Sequence, residues 1–201
     1  MATRAQRKTQ ATADSILDAA QRLLAEKGAP GVTLEAISES ADVAIQTIYN
    51  RVGGKDAILR AVASRAFVSK RDYLADAFAH EGTALERIRQ VSAAYVRFAQ
   101  ECPHEFALLA WPPAGVGAEG SDYDTFAGHI NGLSRLIAMG IEEGAFDPAL
   151  NPELTAVALW RLYDGVLSLG IRSDPLPSST RDAAGLLGTV DRLTSNALAR
   201  R

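Results

Sequence analysis

Apolar residues along this chain recur at three- and four-residue intervals, the period of helices that bury one face. Ile16, Ala19, Ala20, Leu23, Leu24 and Lys27 fall on one stripe, and Gly28 follows as a stop. Thr33 is a good N-cap for a second, shorter helix carrying Leu34 and Ile37. Ala41, Val43 and Ile48 can close a small core beneath the turn that follows. Asp42 stands where the chain must reverse, and aspartate tolerates the left-handed conformation better than most residues. A third helix is predicted from about Ala44 to Arg51, ended by Gly53-Gly54, and Lys55 opens a fourth.

The later pattern is also helical. Leu59, Val62, Ala66, Tyr73, Ala77 and Phe78 predict a long helix ending near Gly82. Leu85, Ile88, Val91, Tyr95 and Phe98 predict the next, ending before Pro103. A short helix from about His104 to Trp111 stops at Pro112-Pro113, and 112–121, rich in Pro, Gly and Ala, reads as a mobile loop. Tyr123, Phe126, Ile130, Leu133 and Ile137 carry a helix toward Gly144. Asn151 reads as an N-cap, with Pro152 first in a helix running to about Ile171. Ser178 or Ser179 caps a last helix bearing Leu186, Leu187, Val190, Leu193, Ala197 and Leu198. No strand pattern competes, so the expected fold class is all-α.

The 33–52 segment carries the clearest chemistry. With Ile48 turned inward, Gln46, Thr47, Tyr49 and Asn50 lie largely on the outer face of the third helix. That face can hydrogen-bond without being strongly charged, as direct readout of base edges requires. A short helix held across another is a standard means of placing side chains in a DNA major groove. The same pattern also suits a helical hairpin in an ordinary bundle whose polar face is merely wet.

Context separates these readings. A basic arm with Arg4, Arg7 and Lys8 precedes the first helix, and Gly-Gly-Lys follows the third. In this order Gly28, Thr33-Leu34, Ile37, Val43, Thr47-Ile48-Tyr49 and Lys55-Asp56-Ala57-Ile58-Leu59 resemble the TetR family of one-component transcriptional regulators. The resemblance covers roughly residues 12 to 60. Two departures stand out: Asp42 where the family usually has Gly, and Val52 where it usually has an aromatic residue. It implies an N-terminal three-helix DNA-binding head (1–56, motif 33–52) and a larger helical effector-binding and dimerisation domain (57–201). It also implies a repressor that binds a palindromic operator as a homodimer and is released by a small molecule. Gln46, Thr47 and Asn50 are then expected at base edges, flanked by Ala44 and Ile45. Tyr49, Thr33, Lys55 and the arm residues Arg4, Arg7 and Lys8 are expected at phosphates or the minor groove.

Charge refines this picture. The chain of 201 residues carries 21 Lys/Arg and 24 Asp/Glu, a net charge of −3. The acidity resides mostly beyond residue 60, so a few placed contacts rather than a basic coat must hold nucleic acid. A single cysteine, Cys102, precludes an intrachain disulfide and fits a reducing, cytoplasmic compartment. No apolar run reaches the length of a membrane span, and no signal-peptide pattern opens the chain.

The helix after Asn151 is apolar on most of its circumference, and the last helix carries the small residues Ala183, Ala184, Gly185 and Gly188. A helix buried on two sides belongs to a deep core or a subunit interface, and the resemblance favours a homodimer through the last two helices. The resemblance also wraps a small-molecule cavity with Tyr95, Phe98, Phe106, Trp111, Phe126, Ile130, Trp160 and Tyr163. His104, His129 and Asp164 are the candidate orienting groups, with the histidines expected at the surface. Asp164 stands where one TetR subgroup has a His, and it can select a cation, face solvent, or pair with Arg161 or Arg135. No Gly-rich phosphate loop, nucleophile elbow or metal-binding His-Glu-x-x-His is present. An enzyme and a resident cofactor or metal are therefore not expected. The competing non-enzymatic reading is an all-helical protein-interaction module without sequence-specific DNA binding.

Overall fold

The computed structural model describes residues 3–113, 116, 121–169 and 183–199, with the side chains of 121–126 and 183 excepted. Among them run α1 (Arg4–Gly31), α2 (Leu34–Ala41), α3 (Ile45–Arg51), α4 (Lys55–Ala79), α5 (Ala84–Glu101), α6 (Pro103–Ala110), α7 (Ser121–Glu142), α8 (Pro152–Ser168) and α9 (Ala183–Leu198). The fold is all-α, as its periodicity requires. The expected helix end at Ile171 and the Ser178 or Ser179 cap lie outside the described residues, as does most of the expected 112–121 loop.

The chain divides into two compact units. The first holds 1–68 and 102–119, and the second holds 69–101 and 120–201. Helix α4 is thus shared between them, its first fourteen residues belonging to the first unit.

In the first unit, Ile16, Ala19, Ala20, Leu23 and Leu24 are all buried, while Lys27, expected on the same stripe, is exposed. Gly28, at φ 68° and ψ −178°, breaks α1 immediately after it. The buried face packs against α2, α3 and α6. One apolar cluster joins Leu24, Val32, Ile37, Ile48, Ile58, Leu59, Val62 and Leu108. Arg65 of α4 ties the outer side of α1, with Nη1 2.6 Å from Asp18 and Nη2 3.4 Å from Asp14.

The expected basic arm takes another form: Arg4, Arg7 and Lys8 are exposed residues of the opening turns of α1. The cause is a reciprocal capping box. Gln6 N–H donates to Thr3 Oγ1 (3.2 Å), and Thr3 N–H donates to Gln6 Oε1 (2.7 Å), so the helix nucleates at the third residue.

In the second unit α5, α7 and α8 pack against one another, and α9 lies on α8. Asn151 caps α8, accepting from the Leu154 amide at 3.0 Å with Pro152 in the first turn. After α7 the chain turns so that the Phe146 ring occupies the space a side chain at Gly140 would need. An isolated antiparallel bridge joins Phe146 to Ala199, and the Asp147 amide donates to the Leu198 carbonyl at 3.0 Å.

Candidate functional site

The turn between α2 and α3 is built from three local decisions. Thr33 starts α2, its Oγ1 accepting from the Ala36 amide at 3.2 Å. Asp42 ends it in the left-handed conformation (φ 51°, ψ 49°), where glycine would be easier but aspartate is tolerated. Ser38 closes the reversal: its carbonyl accepts from the Val43 amide and its Oγ donates to the Val43 carbonyl at 2.6 Å. Helix α3 is pinned by Ile48, which has no exposed surface, and ends where the Val52 and Gly53 amides donate to the Ile48 carbonyl.

The outward face of α3 follows from that pin. Gln46 and Asn50 are exposed one turn apart, and Gln46 Nε2 donates to Asn50 Oδ1 at 3.1 Å. Tyr49 is half exposed, at 51%. Thr47 and Ile45 are only partly exposed, and Ala44 precedes the helix with no side-chain cap. Thr47 therefore presents less surface than expected. Lys55 begins α4 and is exposed. Val52 is half-buried, packed against the first-unit cluster as a small substitute for a larger ring.

Residues 16–62 match the sequence signature of the bacterial regulatory proteins of the tetR family. Over these residues the chain is similar to the TetR family. The chain is 34% identical over 100 residues to an uncharacterized HTH-type transcriptional regulator, YobS, of Bacillus subtilis (strain 168), a match spanning 49% of this chain and 52% of that relative. The chain thus spans about half the length of the curated relative it matches. Solved structures extend the likeness of fold to nearly the whole chain. FadR of Bacillus subtilis, in complex with stearoyl-CoA, is 18% identical with a TM-score of 0.70, covering 92% of this chain and 98% of that one. A TetR-family transcriptional regulator from Agrobacterium tumefaciens is also 18% identical with a TM-score of 0.70, covering 96% and 100%.

The residues expected around a ligand do not all meet. His104, Phe106 and Trp111 belong to the first unit, where Phe106 and Trp111 stack edge to face and His104 lies beside Gly28. Phe98 is fully buried in the second unit, its ring 5.4 Å from Tyr73, and is core rather than wall. Ile130 is half-buried on α7, and the side chain of Phe126 lies outside the described residues. Tyr95, Trp160 and Tyr163 do come together, with Ile88, Val91, Ser92, Leu133 and Leu159, around a cavity of about 20 Å³, room for one water.

The polar groups near that cavity form a buried cluster. Tyr95 Oη donates to Asp164 Oδ1 at 2.5 Å, and Arg161 Nη1 donates to Asp164 Oδ2 at 3.1 Å, so Asp164 is buried and paired instead of facing solvent. Burial pushes its carboxyl above the ordinary range, against the pull of Tyr95, Lys70 and Arg161. Burial likewise raises the Tyr95 hydroxyl, with Asp164 adding to the effect. His129, expected at the surface, is buried. It sits between Phe78 (centroids 6.2 Å, 5°) and Trp160 (6.1 Å, 8°), because its flat ring completes an aromatic stack. Desolvation, helped by the charges of Lys70 and Arg71, lowers its pKa to about 4.

Lys70 is the residue the sequence reading missed. It is 3% exposed, with its ammonium 4.3 Å from the Trp160 ring centroid and 5.4 Å from that of Tyr95. A signal was present: Leu59, Val62, Ala66 and Leu74 are all buried along α4, and Lys70 occupies the same stripe. Among the described residues no group of three or more His, Cys, Asp or Glu is placed to hold a metal ion, and no helix is long and apolar enough to cross a membrane.

Proposed function

We propose that this protein is a homodimeric transcriptional regulator, a repressor, whose first unit reads a palindromic operator and whose second unit takes a small-molecule effector that releases it. One observation carries the reading. Helix α3 is anchored by a single buried isoleucine and turns Gln46, Tyr49 and Asn50 outward as an uncharged hydrogen-bonding face. Gln46 and Asn50 contact base edges, with Thr47, Ala44 and Ile45 beside them. Tyr49, Thr33 and Lys55 contact the backbone, as do Arg4, Arg7 and Lys8 from the exposed first turns of α1.

Dimerisation supplies the second head. Leu154, Val157 and Leu162 are 71%, 45% and 40% exposed on α8, and Leu193 of α9 is 58% exposed. On α8 they share one face with Ala158, Gly165 and the exposed Arg161, a mostly apolar stripe that the same stripe of a second copy covers. A compound bound in the second unit shifts the protein only by favouring the state unable to bind DNA. The stearoyl-CoA held by FadR of Bacillus subtilis supports an effector for this fold without naming the one for this chain. A compartment shared with DNA, the cytoplasm, follows from the same reading.

The test is a gel shift with the DNA upstream of the protein's own gene. A complex that survives excess random DNA at moderate salt is expected, with Gln46→Ala weakening it about ten- to one-hundred-fold and relaxing preference at one base pair. Loss of affinity equally on random DNA would refute the base contact. Absence of any specific complex would favour the protein-interaction reading, for which the exposed α8 stripe is the natural surface.

A further inference from the structure

The outward face of α3 has a hydrogen-bonding pattern, and that pattern names a base. We propose that Gln46 reads an adenine through the major groove and that Asn50 holds the Gln46 amide in place to do so. The base contact rests on the regulator reading, whose operator it gives a chemical identity.

The geometry starts from the buried pin. At about 100° per residue, Gln46 and Asn50 each lie about 160° from Ile48, one on either side of the line pointing away from the head. Both are exposed, and Gln46 Nε2 donates to Asn50 Oδ1 at 3.1 Å. A carboxamide carries two N–H groups and one carbonyl oxygen. With the N–H remote from Oε1 given to Asn50, Gln46 keeps its other N–H and its Oε1 together on one edge. That edge is a donor beside an acceptor.

Among the four bases, one matches it. Adenine shows the major groove an acceptor, N7, beside a donor, the N6 amino group. Guanine shows two acceptors, N7 and O6, so an amide edge meets one of them with its own oxygen whichever way it is turned. Cytosine offers a single donor and thymine a single acceptor beside its methyl group, so each takes one bond instead of two. The side chains that suit guanine are arginine and lysine. The one charged residue of α3 is Arg51, and it lies about 60° from Ile48, on the flank of the helix and off the outward line.

Asn50 adds precision. A glutamine side chain loses rotamer freedom when it is fixed on a base, and a bond made one turn along the helix fixes part of it before DNA arrives. Asn50 is therefore a positioning residue for Gln46, and its own Nδ2 remains a donor for the neighbouring base pair.

The full-length protein, used to select sites from a pool of duplexes with a random core, tests this. The enriched sites are expected to hold an A·T pair at a position that Gln46→Ala relaxes and Gln46→Arg shifts to guanine, a gain that a misfolded variant could not show. At that position 7-deazaadenine, which carries C–H in place of N7, should weaken the wild type about five-fold and leave Gln46→Ala unchanged. Asn50→Ala should shrink this penalty, whereas a general loss of fold or affinity would lower binding to both duplexes equally. A G·C pair at the position governed by Gln46, no position relaxed by Gln46→Ala, or an equal penalty with and without Gln46 would overturn the adenine contact and leave the regulator reading standing. An undiminished penalty in Asn50→Ala would overturn the bracing role. Failure to enrich any site would overturn the regulator reading together with the base contact.

Discussion

Replacing His129 by phenylalanine should flatten the acid limb of the stability curve. In the folded chain the imidazole is held neutral between Phe78 and Trp160, with a pKa lowered to about 4 by desolvation and by the nearby charges of Lys70 and Arg71. In the unfolded chain it returns to an ordinary histidine near 6.5. The unfolded state therefore binds the proton first, and stability is lost as pH falls from about 6.5 to about 4. At 1.36 kcal/mol per pH unit the full loss is about 3 kcal/mol, most of it reached by about pH 4.5. Asp164 works in the opposite sense, since its raised pKa lets the folded state take a proton first, but it is common to both proteins. Phenylalanine keeps the stack and removes the titration. Urea unfolding of wild type and His129→Phe at fixed protein concentration, from about pH 7 to about pH 4.5, measures the difference. The wild type should lose about 2.5 kcal/mol more than the variant over that range. Parallel curves would refute the buried neutral imidazole.

Phe98→Ala should cost about 3–5 kcal/mol in denaturant unfolding, because Phe98 is fully buried against Tyr73; a loss below about 1 kcal/mol would move it from core to wall. Asn151→Ala removes the α8 cap and should cost about 1 kcal/mol, while Asn151→Asp should cost far less. On the operator, Gln46→Ala and Asn50→Ala should be non-additive in a double-mutant cycle, since the two side chains are hydrogen-bonded to each other; strict additivity would separate their roles. Tyr49→Ala should weaken operator and random DNA alike, an outcome that competition binding distinguishes from a base contact.

The first unit was legible in the sequence because its signals are local. Caps, a left-handed turn residue and a three-four apolar period each act within a few residues, so Thr33, Asp42 and Ile48 could be placed from their neighbours alone. The helical start of α1 was legible too, in Thr3 and Gln6, but the basic charge of the segment drew it toward an extended arm. The ligand region was poorly legible because its partners are distant in the chain. Tyr95 meets Asp164 sixty-nine residues away, and nothing within α5 or α8 announces that pair. His129 was expected at the surface because it is polar, and Lys70 was passed over, whereas aromatic faces from two other helices enclose each of them.

The seating of Phe146 over Gly140 has a consequence for how damage spreads through the second unit. A side chain at 140 would evict that ring, and with it the register in which Asp147 N–H meets the Leu198 carbonyl. The α7 turn and the tail of α9, far apart in the chain, therefore open together. Hydrogen exchange at Asp147 and Ala199 should report a single event, and a lesion at 140 would be felt first at the end of the last helix, the element proposed to hold two copies together.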